Sequence, residues 1–284
     1  MAASITGPRG AAAVAPRPSN THLGRSALRA VAGRRDLRRW LGPLGLLATW
    51  WFASQTGLID HRQLAGPGQV LAVFGSEIGS GSLQSNLLVS LLRVVQGLTL
   101  GVGLGVAAGC LAGTVRFGED LVDPVVQMLR TVPFVALTSL FIVWFGINEA
   151  PKILLVALAT FFPVYLNTFN GIRNVDARLV EAARGFGLKG LGLVREVILP
   201  GALPQALLGF RYALGVSWLA LVIAEQINAQ SGVGYLLTMA QNNLDTAGVI
   251  AGIVTYAALG ILTDALVRGL ESRLLVWRRG YTGS

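Results

Sequence analysis

Six stretches of this chain run for close to twenty residues while carrying at most one Asp, Glu, Lys or Arg: 41–59, 94–115, 131–148, 153–172, 206–224 and 246–263. A helix needs about 20 mostly apolar residues to cross the hydrocarbon core of a bilayer, so six such segments predict six crossings. Composition agrees: of 284 residues 53% are hydrophobic and 13% charged, a balance too apolar for an ordinary soluble domain of this length. The fold class that follows is an all-α membrane protein with six transmembrane helices. Arg211 interrupts the fifth stretch near its start, where a long side chain can snorkel to the interface.

The charges outside these stretches set an orientation. With the N-terminus in the cytoplasm, 19 of the 23 Lys and Arg fall inside, Arg62, Arg93 and Lys152 fall outside, and Arg211 lies within a span. The positive-inside rule therefore places both termini in the cytoplasm. The net charge of +9 reports topology, and says nothing about nucleic acid or the charge of a cargo. Residues 1–40 are rich in Ala, Gly, Pro, Ser and Arg without an apolar period, which predicts a disordered basic cytoplasmic tail ahead of a transmembrane domain over 41–284. The paired arginines of GRRDLRRWLGPLGLLATWWFA imitate a twin-arginine export signal, but five further spans follow, and an uncleaved first helix is expected. Cys110 is the single cysteine, so an intrachain disulfide is excluded.

Few features within the spans invite chemistry. Gly97, Gly101, Gly105, Gly109 and Gly113 recur every four residues, a groove on one helix face in which a second helix can pack at close range. That helix could belong to the same subunit, or the stripe could form a sliding face or a dimer seam. Pro133 suits a helix start, whereas Pro163 sits mid-span and must release a backbone bond, which favours a kink packed in protein or lining a cavity. Asp264 and Arg268, four apart, predict an interfacial pair, and Glu225 at the outer end of the fifth span is expected to be solvated. No chain of buried carboxylates suggests a proton relay, His22 and His61 stand alone, and no phosphate-binding loop, metal motif or nucleophile elbow is present. The reading is a non-enzyme with no cofactor and no metal.

One charged, Gly-broken element lies between the fourth and fifth spans: EAARGFGLKGLGLVREVILP, Glu181 to Pro200. Glu181 to Gly187 predicts a short helix, Gly190 and Gly192 loosen the chain, and Pro200 and Pro204 predict a turn into the fifth span. Packed helices need only about 2–8 connecting residues, far fewer than this element has, which suits a lever that docks on a soluble partner.

Glu181, Ala182, Ala183, Gly187, then Val197, Ile198, Leu199 and Pro200 resemble the EAA signature of ABC importer permeases, with Val197 where the pattern has isoleucine. The resemblance covers about residues 85–270. LVDPVVQMLRTVPFVALTSLFIVWFGI, PVYLNTFNGIRNVD, VILPGALP and AEQINAQSGVGYL are similar to the nitrate, sulfonate and taurine branch, most of all to aliphatic sulfonate permeases. The resemblance implies the type I ABC importer permease fold over 41–284 and an inner-membrane location. It also implies a homodimer of this chain, two cytoplasmic ATP-binding subunits and an external solute-binding protein. Glu181 to Gly187 would be the coupling helix, with Glu181 meeting a basic group, Ala182 and Ala183 allowing close approach, and Gly187 permitting the turn behind it; Leu199 and Pro200 complete the signature. Taurine, nitrate and a pyrimidine precursor remain open as cargo. An ATP-independent carrier would instead call for internal repeats and midplane ionisable sites, and it leaves the docking element without a purpose.

Overall fold

Apolar surface organises the molecule into helices of very unequal length. The computed structural model describes residues 41–56 and 64–274, which are helical nearly throughout. The expected tail over 1–40 lies outside the described residues. In chain order the helices are α1 (41–55), α2 (Pro67–Gly79), α3 (Ser82–Thr114), α4 (Arg116–Leu129), α5 (Phe134–Phe145), α6 (Ala150–Arg173), α7 (Ala177–Gly185), α8 (Gly190–Leu193), α9 (Leu199–Asn228), α10 (Val233–Asn242) and α11 (Thr246–Leu274). Among the described residues four are individually long and apolar enough to cross a membrane: α3, α6, α9 with the turns that lead into it, and α11.

The third expected crossing is built differently from the uninterrupted span predicted over 131–148. α5 has 12 residues, about 18 Å at 1.5 Å per residue, against a hydrocarbon core of about 30 Å. Pro133 in extended geometry delays its start, and Gly146, at φ +76°, ends it. α4 precedes it as an amphipathic helix carrying Arg116, Glu119, Asp120 and Asp123. It returns along the C-terminal part of α3, with Gly118 against the Leu111 backbone and Val126 packed with Ala112 and Tyr165. Residues 130–133 separate the two half-length helices. The fifth crossing also differs: no turn marks its entry, because α9 begins at Leu199, with Pro200 in its first turn and Pro204 inside it. A proline is accepted in a first helical turn, where no intrahelical donor is lost.

α6 is the centre of the packing, flanked by α3 and α9. Its contact with α3 runs along the glycine stripe. A Cβ built on Gly97, Gly105 or Gly109 would fall 2.9, 2.9 and 3.0 Å from the carbonyl oxygens of Ile153, Phe161 and Tyr165. At Gly101 it would collide with Thr160 Oγ1 and the Ala157 carbonyl, and at Gly113 it would press on Ile172. On the other flank Gly209 stands against the Pro163 carbonyl and Asn167, and Gly171 against the Ala202 carbonyl. Pro163 is thus packed against protein.

This geometry gives an expected result. Gly101→Val should destabilise the protein by about 3 kcal/mol, the upper end for overpacking, because the obstructing atoms are backbone and cannot rotate away. Gly103, which has nothing within 4 Å, is the control, and Gly103→Val should change little. Thermal unfolding in detergent compares the two; equal midpoints would refute a close-packed stripe.

Candidate coupling element and a buried ion-pair network

The chain leaves α6 at Arg173 and turns into α7, whose first turn is capped by Asp176: its Oδ1 accepts from Arg178 N at 2.9 Å. The helix closes at the Phe186–Gly187 corner. Phe186 N donates to Ala182 O, Gly187 N to Arg184 O and Leu188 N to Ala183 O, at 3.0–3.1 Å. Gly187 has φ +91° with nothing within 4 Å of where a Cβ would sit. Its requirement is therefore conformational rather than one of space. Gly190, at φ +54°, reverses the chain again before a π-helical turn over Val194–Ile198 runs into α9.

The signature residues divide between two faces. Ala183 is buried against its own chain, while Glu181 and Ala182 point outward. Leu199 and Pro200 lie at the exposed start of α9, and a Cβ built on Gly201 beside them would fall 3.2 Å from Val175 at the entry to α7, so both parts of the signature gather at one end of the molecule. The same element exposes Leu179, Leu191 and Phe186, Phe186 by 90%, beside the exposed Arg178, Arg184 and Lys189. Large apolar side chains clustered on a charged element outside the spans mark an interaction surface.

A second constellation occupies the opposite end of the helices, and it corrects one sequence expectation. Glu225 is not solvated: its side chain is fully buried. Arg93 lies well inside α3, with 3% of its side chain exposed. Arg93 Nη1 donates to Glu225 Oε1 and to Ser231 O, both at 2.6 Å, and Nη2 to Glu149 Oε1 at 2.8 Å. Glu225 also accepts from Ser90 Oγ at 2.8 Å, Gly234 N at 2.8 Å and Tyr256 Oη at 3.0 Å. One carboxylate thereby ties α3, α9, α10 and α11 together, and Arg93 adds the N-terminal end of α6. Buried charge is costly unless every lone pair and proton is matched, and here the matching is close to complete. Residues 229–232 cause the burial by folding back over Glu225, with Gly232 N held by Asn86 Oδ1 at 2.7 Å.

At the rim Glu149 receives Arg93 and Lys152, and the Arg93 hydrogen bonds hold its carboxyl at about 2, below the ordinary 4.5. A carboxyl depressed on folding contributes stability that is complete above 4.5 and is lost as the pH falls toward 2. Elsewhere Asp264 accepts from Arg268 one turn along α11 and from Arg211 of α9 at 3.1 Å, so Arg211 is paired within the protein rather than snorkelling. No cluster of three or more metal-ligating side chains occurs among the described residues.

Residues 101–276 match the family of binding-protein-dependent transport system inner membrane components. This chain belongs to that family. It is the multi-pass inner-membrane permease of an ABC importer. The permease is 48% identical over 242 residues to an Escherichia coli (strain K12) protein bearing the name aliphatic sulfonates transport permease protein SsuC, covering 85% of this chain and 92% of that one. A Bacillus subtilis (strain 168) protein of the same name is 46% identical over 90% of this chain and 94% of its own. The taurine transport system permease protein TauC of E. coli is 36% identical over 86% and 90%. Among solved structures, an amino acid ABC transporter with histidines superposes with a TM-score of 0.60 over 70% of this chain and 97% of that one, at 18% identity, a likeness of fold. The type I importer permease fold expected from the EAA signature is the fold observed.

Proposed function

We propose that the permease imports aliphatic sulfonates as part of an ATP-driven assembly of two copies of this chain, two cytoplasmic ATP-binding subunits and an external solute-binding protein. The cargo assignment rests on identity: 48% and 46% with two sulfonate permeases of distant bacteria, against 36% with the taurine permease. Both termini and α7 face the cytoplasm in this reading, as the distribution of Lys and Arg favours. The α7 element then docks on the ATP-binding subunit. Glu181 and Ala182 meet its surface, Leu179 and Phe186 bury apolar area there, Ala183 anchors the helix to its own chain, and Gly187 sets the helix angle. Leu199 and Pro200 join this lever to α9, so displacement of α7 is felt along a crossing helix. The stripe from Gly97 to Gly113 serves as the seam that holds α3 to α6.

Reconstitution tests the proposal. The permease is purified with the ATPase subunit and binding protein of its own operon, its mass is measured, and uptake of a labelled alkanesulfonate into proteoliposomes is followed. ATP-dependent accumulation by a two-to-two complex is expected. Accumulation without ATP, or a kcat/KM for taurine above that for alkanesulfonates, would overturn the assignment.

A further inference from the structure

The break between α4 and α5 places a cation where a membrane protein seldom keeps one. Arg130 follows the last residue of α4 and lines a cavity of about 290 Å³ with Val132 and Leu137, with Ala159 and Phe162 of α6, and with Leu219 and Ile223 of α9. Ala159 and Phe162 lie halfway along the 24 residues of α6, so this is the middle depth of the helices. Arg130 makes no ion pair among the described residues. Arg130, an exposed residue, is the cavity's single charged lining residue, and the other lining residues are apolar. A cation at middle depth is expensive, and such residues mark the path of a substrate or ion. Interrupted helices near the midplane are where transporters form substrate sites, because irregular backbone is tolerated there only along a cavity.

We propose that this cavity is a cargo-selecting site of the permease, in which Arg130 holds the sulfonate of an alkanesulfonate and the apolar wall of Leu137, Phe162, Leu219 and Ile223 receives its alkyl chain. The inference rests on the transport reading above and adds the residues that choose the cargo within the membrane. The chemistry is complementary at both ends. A guanidinium presents several N–H donors in a fixed fork to a tetrahedral oxyanion, and such charge-assisted bonds are about twice as strong as neutral ones. The cavity lies just below the range of about 300–1,000 Å³ common for small-molecule sites, which suits a short-chain ligand. The lining also predicts a preference. Among the described residues no carboxylate lines the cavity, so the ammonium of taurine would be buried without a partner, whereas an alkyl tail leaves nothing unsatisfied.

The test uses the complete permease–ATPase complex with its binding protein in proteoliposomes, with alkanesulfonates of one to eight carbons as probes. Arg130→Gln should lower uptake kcat/KM by about 10- to 100-fold, the range for losing a hydrogen bond to a charged group. Basal ATP hydrolysis should be retained, and Arg130→Lys should restore part of the uptake. Leu219→Trp changes an exposed wall residue, and so leaves folding intact should Arg130→Gln fail to insert. It should shift the optimum to shorter chains. Wild-type uptake by Arg130→Gln together with an unchanged chain-length profile in Leu219→Trp would overturn the site while leaving the cargo assignment standing. A wild-type complex that moves no alkanesulfonate would overturn both.

Discussion

Glu225→Ala is expected to destabilise the permease by about 3–5 kcal/mol, the cost of leaving a buried charge without its partner. Arg93, 3% exposed, would lose one of its two carboxylate partners and keep its bonds to Glu149 and Ser231. Ser90 Oγ, Tyr256 Oη and Gly234 N would lose their acceptor in the same step. Glu225→Gln retains an acceptor for some of these donors but removes the charge, and should fall between wild type and Glu225→Ala. The double variant Arg93→Met with Glu225→Leu should recover much of the loss, because a well-packed apolar pair avoids the desolvation of two ions. Unfolding midpoints in detergent, taken as a double-mutant cycle, decide it. Additive single and double effects would mean that the two residues do not act as a pair.

Gly187→Val is expected to reduce substrate-stimulated ATP hydrolysis at least tenfold while leaving basal hydrolysis and membrane insertion near wild type. Nothing stands within 4 Å of the new side chain, so the effect comes from φ +91°, which a β-branched residue resists. The Phe186–Leu188 hydrogen bonds that close α7 would have to rearrange, and the helix would meet its partner at another angle. Coupling is a free energy shared between sites, so a misdirected lever removes the response without removing either binding event. Gly187→Asn should keep more of the response than Gly187→Val, since Asn visits positive φ more readily. Normal stimulation in Gly187→Val would show that the stretch from Glu181 to Pro200 only connects α6 to α9.

What could be read from the sequence was local. Apolar run length located α3, α6, α9 and α11, and four-residue spacing located the glycine stripe; the short helix expected over Glu181–Gly187 instead starts four residues earlier, at Ala177, and ends at Gly185, and Gly190–Leu193, expected to loosen the chain, is a helical turn. What escaped was either masked by charge or made by distant partners. α4 was missed because Arg116, Glu119, Asp120 and Asp123 break its charge-free run in sequence, although Val122 and Val126 at four-residue spacing were the available signal. Arg130 then looked like an ordinary inner-loop cation, because its depth depends on where α4 carries it. Glu225 looked solvated because its neighbours in sequence are polar. Residues 229–232 fold back over it, and its partners are Arg93 and Ser90, more than 130 residues earlier, and Tyr256, 31 residues later. No periodicity reports contacts of that range.

The glycine contacts of α3, α6 and α9 also bear on how such a molecule can change shape. Helices that meet through layers of long side chains can slide, because rotamers absorb the displacement. Here the backbones approach so closely that carbonyl oxygens of α6 face Gly97, Gly105 and Gly109 on one flank, and the Pro163 carbonyl faces Gly209 on the other. No compliant layer is left to shear. The three helices form a stiff slab, and in the docking proposed above a push delivered through α7 at one edge would be transmitted as a tilt of the whole slab. The transport cycle of that proposal would then be a rocking of blocks whose interiors stay fixed, with the deformation confined to the break at 130–133.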